Sequence, residues 1–162
     1  MPPAPLVLDL LRHAEAAASG PDGDASRPLS PAGRRTLRAL SRLLAEEGWR
    51  PTRAFASPLR RARDTARLLV SGLVPRLEVG VLDQLAPEED PGALAVELER
   101  RGLLVGHLLL VTHLPLVERL CVRFTGGAAG FAPATLCRIE FTAGAAAGAG
   151  RLTRCLRPRE DA

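Results

Sequence analysis

The 162-residue chain has no lysine, and Ile139 is its only isoleucine. All 22 basic residues are therefore arginine, set against 18 acidic ones, for a net charge of +4 and an isoelectric point near 10.1. A basic balance ordinarily points to an anionic partner. Here alanine, glycine, proline and leucine are also abundant, so biased coding composition accounts for the arginines. The charge alone is poor evidence for nucleic-acid binding.

Cysteine is scarce too. Cys121, Cys137 and Cys155 are odd in number, widely spaced and form no CxxC, which argues against a disulfide framework and against a zinc site. All three are expected to be reduced and at least partly buried. No apolar run approaches the roughly 20 residues that cross a bilayer. The N-terminus lacks a basic leader, and Asp9 and Arg12 interrupt its apolar part, which makes it a poor signal peptide. With 46% apolar residues and a mean hydropathy of +0.06, the expectation is a cytoplasmic globular protein. The length suits a single domain, 1–162, with a sizeable core.

What is present is best read from LVLDLLRHAE, Leu6 to Glu15. An aliphatic run of this kind fits a strand of a parallel sheet covered on both faces, and such strands place ligand sites beyond their carboxyl ends. Arg12 offers a planar, permanently charged fork suited to phosphate oxygens. His13 offers a nitrogen nucleophile or a general base. Neighbours on a strand point to opposite faces, so both can serve one ligand only where the strand ends and the backbone turns. Taken alone, the pair reads more simply as a surface arginine and a core histidine.

A polar loop follows, then Ser30-Pro31, a cap with proline in the first helical position. This helix should run to about Glu47, with Leu37, Leu40 and Leu44 inward and Arg34, Arg38 and Arg42 on a solvated face. Arg27 lies in the preceding loop, which could fold over the tip of the first strand. Arg53 to Ala56 reads as a second strand, and Ser57-Pro58 as a second helix start. In that helix Arg60 has Asp64 as a local partner. Arg61 has none at i+3 or i+4 and lies in the first turn, where free N–H groups favour an anion. Arg61 is therefore the arginine of this run assigned to phosphate.

Leu77 to Leu82 reads as a third strand or its approach. Asp90-Pro91 then caps a helix with Leu94, Val96 and Leu98, ending near Arg101 and Gly102. Leu108 to Val111 form a second strongly apolar strand ending in Thr112 and His113, and Pro115 starts a helix to about Phe124. His107, at the other end of this strand, is read as structural. Strands over about Ala134 to Thr142 and Leu152 to Leu156 form a hairpin, with Cys137, Ile139 and Phe141 on one face. Arg157 to Ala162 should fray.

Two strand tips carrying His13 and His113, with Arg12 and Arg61, make a four-part cationic site for a phosphoryl group. The segments LLRHAEA, RPLSPAG, SPLRRARDTA and VTHLPLV, in this order and spacing, resemble the histidine phosphatase (phosphoglycerate mutase-like) superfamily and, within it, the small SixA-like phosphohistidine phosphatases. The resemblance implies a three-layer α/β/α sandwich with a mostly parallel central sheet. It further implies that His13 becomes transiently phosphorylated, and that Arg12, Arg61 and His113 form the phosphate pocket, with Arg27 as a further candidate. It implies neither metal nor other cofactor.

The sequence departs from the pattern twice. Ala14 replaces the usual glycine after the histidine, which is tolerable if φ there is negative. Many relatives carry an acid after the third strand, and the match here is Gln84. Asp83 would face the other way on a regular strand, while Glu88 and Asp90 reach the site only if their loop folds back. A sugar alkoxide needs an acid to leave, whereas an imidazole, with a reference pKa of about 6.5, can leave as a neutral ring. The expected activity is thus removal of phosphate from phosphohistidine on a partner protein by a monomer without nucleic-acid or membrane partners. The alternatives are a small phosphate monoester as substrate, or phosphate-dependent binding without turnover.

Overall fold

The two apolar runs become neighbouring strands at the centre of one sheet. In a computed structural model, which describes residues 5–159, the six strands are β1 (Leu6–Arg12), β2 (Arg53–Ala56), β3 (Val79–Val81), β4 (Gly106–Thr112), β5 (Leu136–Phe141) and β6 (Arg151–Leu156). Their order is β3-β2-β4-β1-β5-β6. The first four in that order run parallel, while β5 pairs antiparallel with both β1 and β6. Helices α1 (Pro31–Glu46), α2 (Arg60–Leu73), α3 (Pro91–Arg100) and α4 (Leu116–Thr125) complete the three layers expected.

Alternation along the central strands feeds two cores. Leu8, Leu10, Leu108 and Leu110 pack with Leu94, Leu98, Leu120 and Phe124 of α3 and α4. Leu11, Leu109 and Val111 pack on the opposite face with Leu37, Leu40, Ala66 and Leu69 of α1 and α2. This two-sided burial is why the strands lack polar alternation. Ser30 caps α1 by accepting the Gly33 amide at 3.0 Å, and Asp90 caps α3 by accepting that of Ala93 at 3.0 Å. Arg34, Arg38 and Arg42 are exposed, as expected for a solvated face. Among the described residues, no helix is long and apolar enough to cross a membrane.

Several expectations need correction. Cys137 and Cys155 are joined in a disulfide, so only Cys121 is a free thiol, and it is buried. Spacing along the chain misled here, because the β5–β6 pairing sets the two cysteines directly opposite each other. Helix α2 begins at Arg60 without a side-chain cap, since Leu59 takes the cap position and Ser57, two residues earlier, pairs with His113. Val96 faces solvent, because Leu94 and Leu98 already fill the inward face of α3. Strand β5 starts only at Leu136. Ala134, held at φ 61°, turns its amide to the Arg12 and His13 carbonyls instead. The tail is tied at Arg157, which donates to the Gly130 carbonyl at 3.1 Å, and residues 160–162 of the expected frayed end lie outside the described residues.

Asp9, the polar break in the first apolar run, is fully buried. It accepts hydrogen bonds from Trp49 Nε1 at 2.7 Å, His107 Nε2 at 2.6 Å, and Arg138 Nε and its terminal nitrogen at 2.8 and 2.9 Å. His107 thus has the structural role read from its position. Burial pushes the Asp9 carboxyl upward, but the bonds and charges of His107 and Arg138 outweigh burial and hold its pKa at about 2. This network ties α1's exit, β4 and β5 to β1, away from the strand tips.

Because removing Asp9 leaves the half-buried Arg138 and His107 without their shared acceptor, Asp9→Ala should cost about 3 kcal/mol in urea unfolding. The folded-state pKa is depressed, so the carboxylate's contribution is complete above its ordinary value of 3.8 and is lost as pH falls through about 2. Asp9→Asn should abolish that part of the acid dependence. An unchanged acid profile in Asp9→Asn would contradict this assignment.

Candidate active site

Arg12 and Thr112 are register partners at the ends of β1 and β4, so His13 and His113 emerge side by side, one residue further on. Their rings lie 4.9 Å apart between centroids, tilted by 54°. The His13 amide donates to the Thr112 carbonyl at 3.0 Å, after which the chain leaves the ladder and the Ala14 amide donates to Thr65 Oγ1 at 3.0 Å. This break is the turn needed for Arg12 and His13 to share one ligand. Among the described residues Ala134 alone, of the non-glycines, has a positive φ, so Ala14 meets the condition of a negative φ and is unstrained.

His13 Nδ1 lies 2.7 Å from the Ala14 carbonyl oxygen. A carbonyl can only accept, so Nδ1 carries the proton and Nε2 carries the lone pair. Burial lowers the His13 pKa to about 4, assisted by the charges of Arg61, Arg12 and Arg27 and opposed by the Ala14 bond. The imidazole is therefore neutral and nucleophilic at ordinary pH. Burial contributes more to this shift than the arginine charges do.

His113 is buried as well, and burial followed by the His13 and Arg61 charges lowers its pKa to about 3. Its Nε2 is 2.7 Å from Ser57 Oγ, which also accepts the Leu59 amide at 3.2 Å. With that amide bound, the hydroxyl keeps a proton and a second lone pair and so fits either tautomer of His113; in the one where it donates to Nε2, the His113 proton sits on Nδ1. Nδ1 is buried without a hydrogen-bond partner, as is Arg12 Nε. In that tautomer the site holds two buried donors available to an incoming acceptor.

Arg12 is held by the Phe131 carbonyl at 2.8 Å, and burial lowers its pKa while Glu118 of α4 opposes the shift. Arg61, buried in the first turn of α2, reaches the Asp24 carboxylate and carbonyl. Thr65 donates to the Arg61 carbonyl at 2.7 Å while accepting the Ala14 amide, which locks α2 to the His13 turn. The loop after β1 folds back as foreseen. Ala16 bridges Leu29, the Ser30 amide donates to the Glu15 carbonyl at 2.9 Å, and Arg27 Nε donates to the Ala17 carbonyl at 2.7 Å. Gly33 permits the approach, for a Cβ there would meet the Glu15 oxygen at 2.1 Å.

Arg12, His13, Arg27, Arg61 and His113 are therefore brought together. Asp83 and Gln84 belong to a segment packed against β4. They lie in a short turn after β3, which Thr112 pins by donating to the Leu85 carbonyl at 2.5 Å. Asp83 and Glu88 are exposed, and Asp90 is engaged as the α3 cap. The sequence reading missed Asp24, Ser57, Thr65 and Glu118. Only Thr65 left a signal there, one turn after Arg61 on the inward face of α2.

Comparison with known proteins shows the family and the fold. Residues 8–89, just over half of the chain, match the model of the histidine phosphatase superfamily, branch 1. The chain belongs to that superfamily. Among solved structures, it is similar to the protein histidine phosphatase SixA complexed with tungstate, at 25% identity and a TM-score of 0.82 over 94% of this chain and 97% of that one. Two others share the fold. One is a mycobacterial glucosyl-3-phosphoglycerate phosphatase, at 21% identity and a TM-score of 0.67, covering 92% and 97% of the two chains. The other is a phosphoserine phosphatase from Entamoeba histolytica in complex with 3-phosphoglyceric acid, at 13% and 0.66, covering 96% and 98%. No curated protein sequence matches the chain.

Nuclear magnetic resonance titration of the imidazole signals should find His13 titrating near pH 4 and His113 near pH 3. An unfolded histidine binds its proton near 6.5, so both groups make the fold less stable as pH falls from about 6.5 toward 4, and neither adds pH dependence above that window. A His13 midpoint near 6.5 would contradict a half-buried imidazole held neutral.

Proposed function

We propose that this histidine phosphatase removes phosphate from phosphohistidine on a protein, with His13 as the nucleophile. The observation that carries the reading is the bond from His13 Nδ1 to the Ala14 carbonyl, which directs the lone pair of the second nitrogen into a cluster of cationic donors. Nε2 attacks phosphorus as the P–N bond of the substrate breaks. The departing imidazole keeps the proton on its far nitrogen and leaves neutral. Water then attacks the phosphohistidine at His13 and releases inorganic phosphate. Arg12, Arg61 and His113, with Arg27 at the rim, neutralise the transferring phosphoryl in its loose transition state, and arginine charge takes the place of a metal ion.

The substrate class rests on the lack of an acid. Gln84 cannot donate a proton to an alkoxide, and Asp83 is exposed in its turn. Asp24 does reach the arginines, but hydrogen bonding to Arg27 and the charge of Arg61 hold its carboxyl below the usual range, so it is ionised at neutral pH. A leaving group that brings its own proton suits such a site. The SixA similarity points the same way.

Steady-state phosphate release from a phosphohistidine protein, beside sugar and nucleotide phosphates, tests the proposal. Release should favour phosphohistidine and fall by at least roughly a thousandfold in His13→Ala, as expected for loss of a covalent nucleophile. Efficient release from one small phosphate would keep the nucleophile and reassign the substrate. No His13-dependent release from any of them would leave a phosphate-binding protein.

A further inference from the structure

The loop between β1 and α1 presents a carboxylate to the arginines that the proposed function gives to phosphate. Asp24 Oδ2 lies 3.3 Å from both terminal nitrogens of Arg61, and its Oδ1 accepts from Arg27 at 3.0 Å. The Asp24 carbonyl takes a further Arg61 hydrogen bond at 3.1 Å. One carboxylate thus spans two guanidinium groups from different elements, and its charge also reaches His113. The two partners differ sharply in exposure. The Arg61 side chain is 8% exposed, whereas that of Asp24 is 66% exposed.

The turn that carries Asp24 is well braced. Gly20 sits where a Cβ would meet the Ser26 backbone at 2.5 Å. Ser26 Oγ accepts the Asp22 amide at 2.8 Å and donates to the Gly23 carbonyl at 2.9 Å, with Gly23 at φ 93°. Asp24 is therefore held at the rim by a built turn, and its side chain can swing outward without unfolding that turn.

We propose that Asp24 is a specificity-determining residue, an internal anion that an incoming phosphoryl group displaces from Arg61 and Arg27. This rests on the reading of Arg61 as a phosphate ligand. A nearly buried guanidinium is costly without an acceptor, and Asp24 supplies one between turnovers. It also sets a threshold. A singly charged anion offers these arginines no more than the resident carboxylate, and so gains little by replacing it. A phosphoryl dianion offers three oxygens, which reach Arg12 and the free donor of His113 as well. Selection thus comes from the competitor as much as from the contacts, a form of discrimination against weaker ligands.

Calorimetric titration of the full chain with inorganic phosphate tests this without turnover. Asp24→Asn should bind phosphate roughly fivefold more tightly than the wild type, the factor associated with one exposed ion pair. Its KM for the phosphohistidine protein should fall, and acetate should become a measurable inhibitor. Asp24→Ala should behave alike. Asp22→Asn, a neutralisation in the same loop at a residue that pairs with neither arginine, should leave affinity unchanged.

Equal or weaker phosphate binding by Asp24→Asn would overturn the inference and make Asp24 an orienting partner of Arg61. Equal tightening by Asp22→Asn would also overturn it, by reducing the effect to net charge. Phosphate binding that is lost in Arg61→Ala upholds the site whichever of these results is found. Absence of binding by both wild type and Asp24→Asn would remove the site reading and this inference together.

Discussion

The in-register parallel pairing of β1 with β4 is the constraint on which the rest depends. It matches Arg12 with Thr112, and so delivers His13 and His113 at the same height with their rings in contact. A shift of one residue would turn each apolar set to the wrong face and separate the histidines. The core thereby enforces the site, since Leu8, Leu10, Leu108 and Leu110 on one side and Leu11, Leu109 and Val111 on the other allow only this alignment. Asp9 reinforces it from mid-strand by accepting from residues of β4 and β5.

Electrostatics at the tips follow from that placement. Bringing Arg12, Arg27 and Arg61 around two histidines concentrates positive charge where water is largely excluded, and the imidazoles respond by staying neutral. Burial is the leading cause in both cases. The site therefore holds two kinds of donor, permanently charged guanidinium groups and uncharged imidazole N–H. Asp24, exposed but paired with Arg61 and Arg27, moderates the first kind and makes no hydrogen bond to the second.

Much of this was legible in the sequence. The apolar runs before Arg12 and His113, the Ser30 and Asp90 caps and the i+4 pairing of Arg60 with Asp64 are local patterns, and local patterns survive translation into structure. What could not be read depends on contacts distant in sequence. Cys137 and Cys155 meet through a hairpin register. Ser57 looked like a cap, but a histidine 56 positions away claims its hydroxyl. Asp24 in a loop rich in glycine and aspartate carried no signal, since only the return of that loop over α2 brings it to Arg61.

The bond between His13 and the Ala14 carbonyl has a consequence for how the site tolerates change. Many proteins orient a histidine with a side-chain carboxylate or amide, which a single codon change can delete. Here the acceptor is main chain, which no replacement at position 14 removes so long as the backbone keeps its path. In the proposed reaction, the tautomer that exposes Nε2 is the same one that lets His13 depart as a neutral ring after phosphorylation. Both halves of the proposed two-step exchange thus rest on a main-chain contact, insulated from point mutation in a way that Ser57 or Asp24 is not.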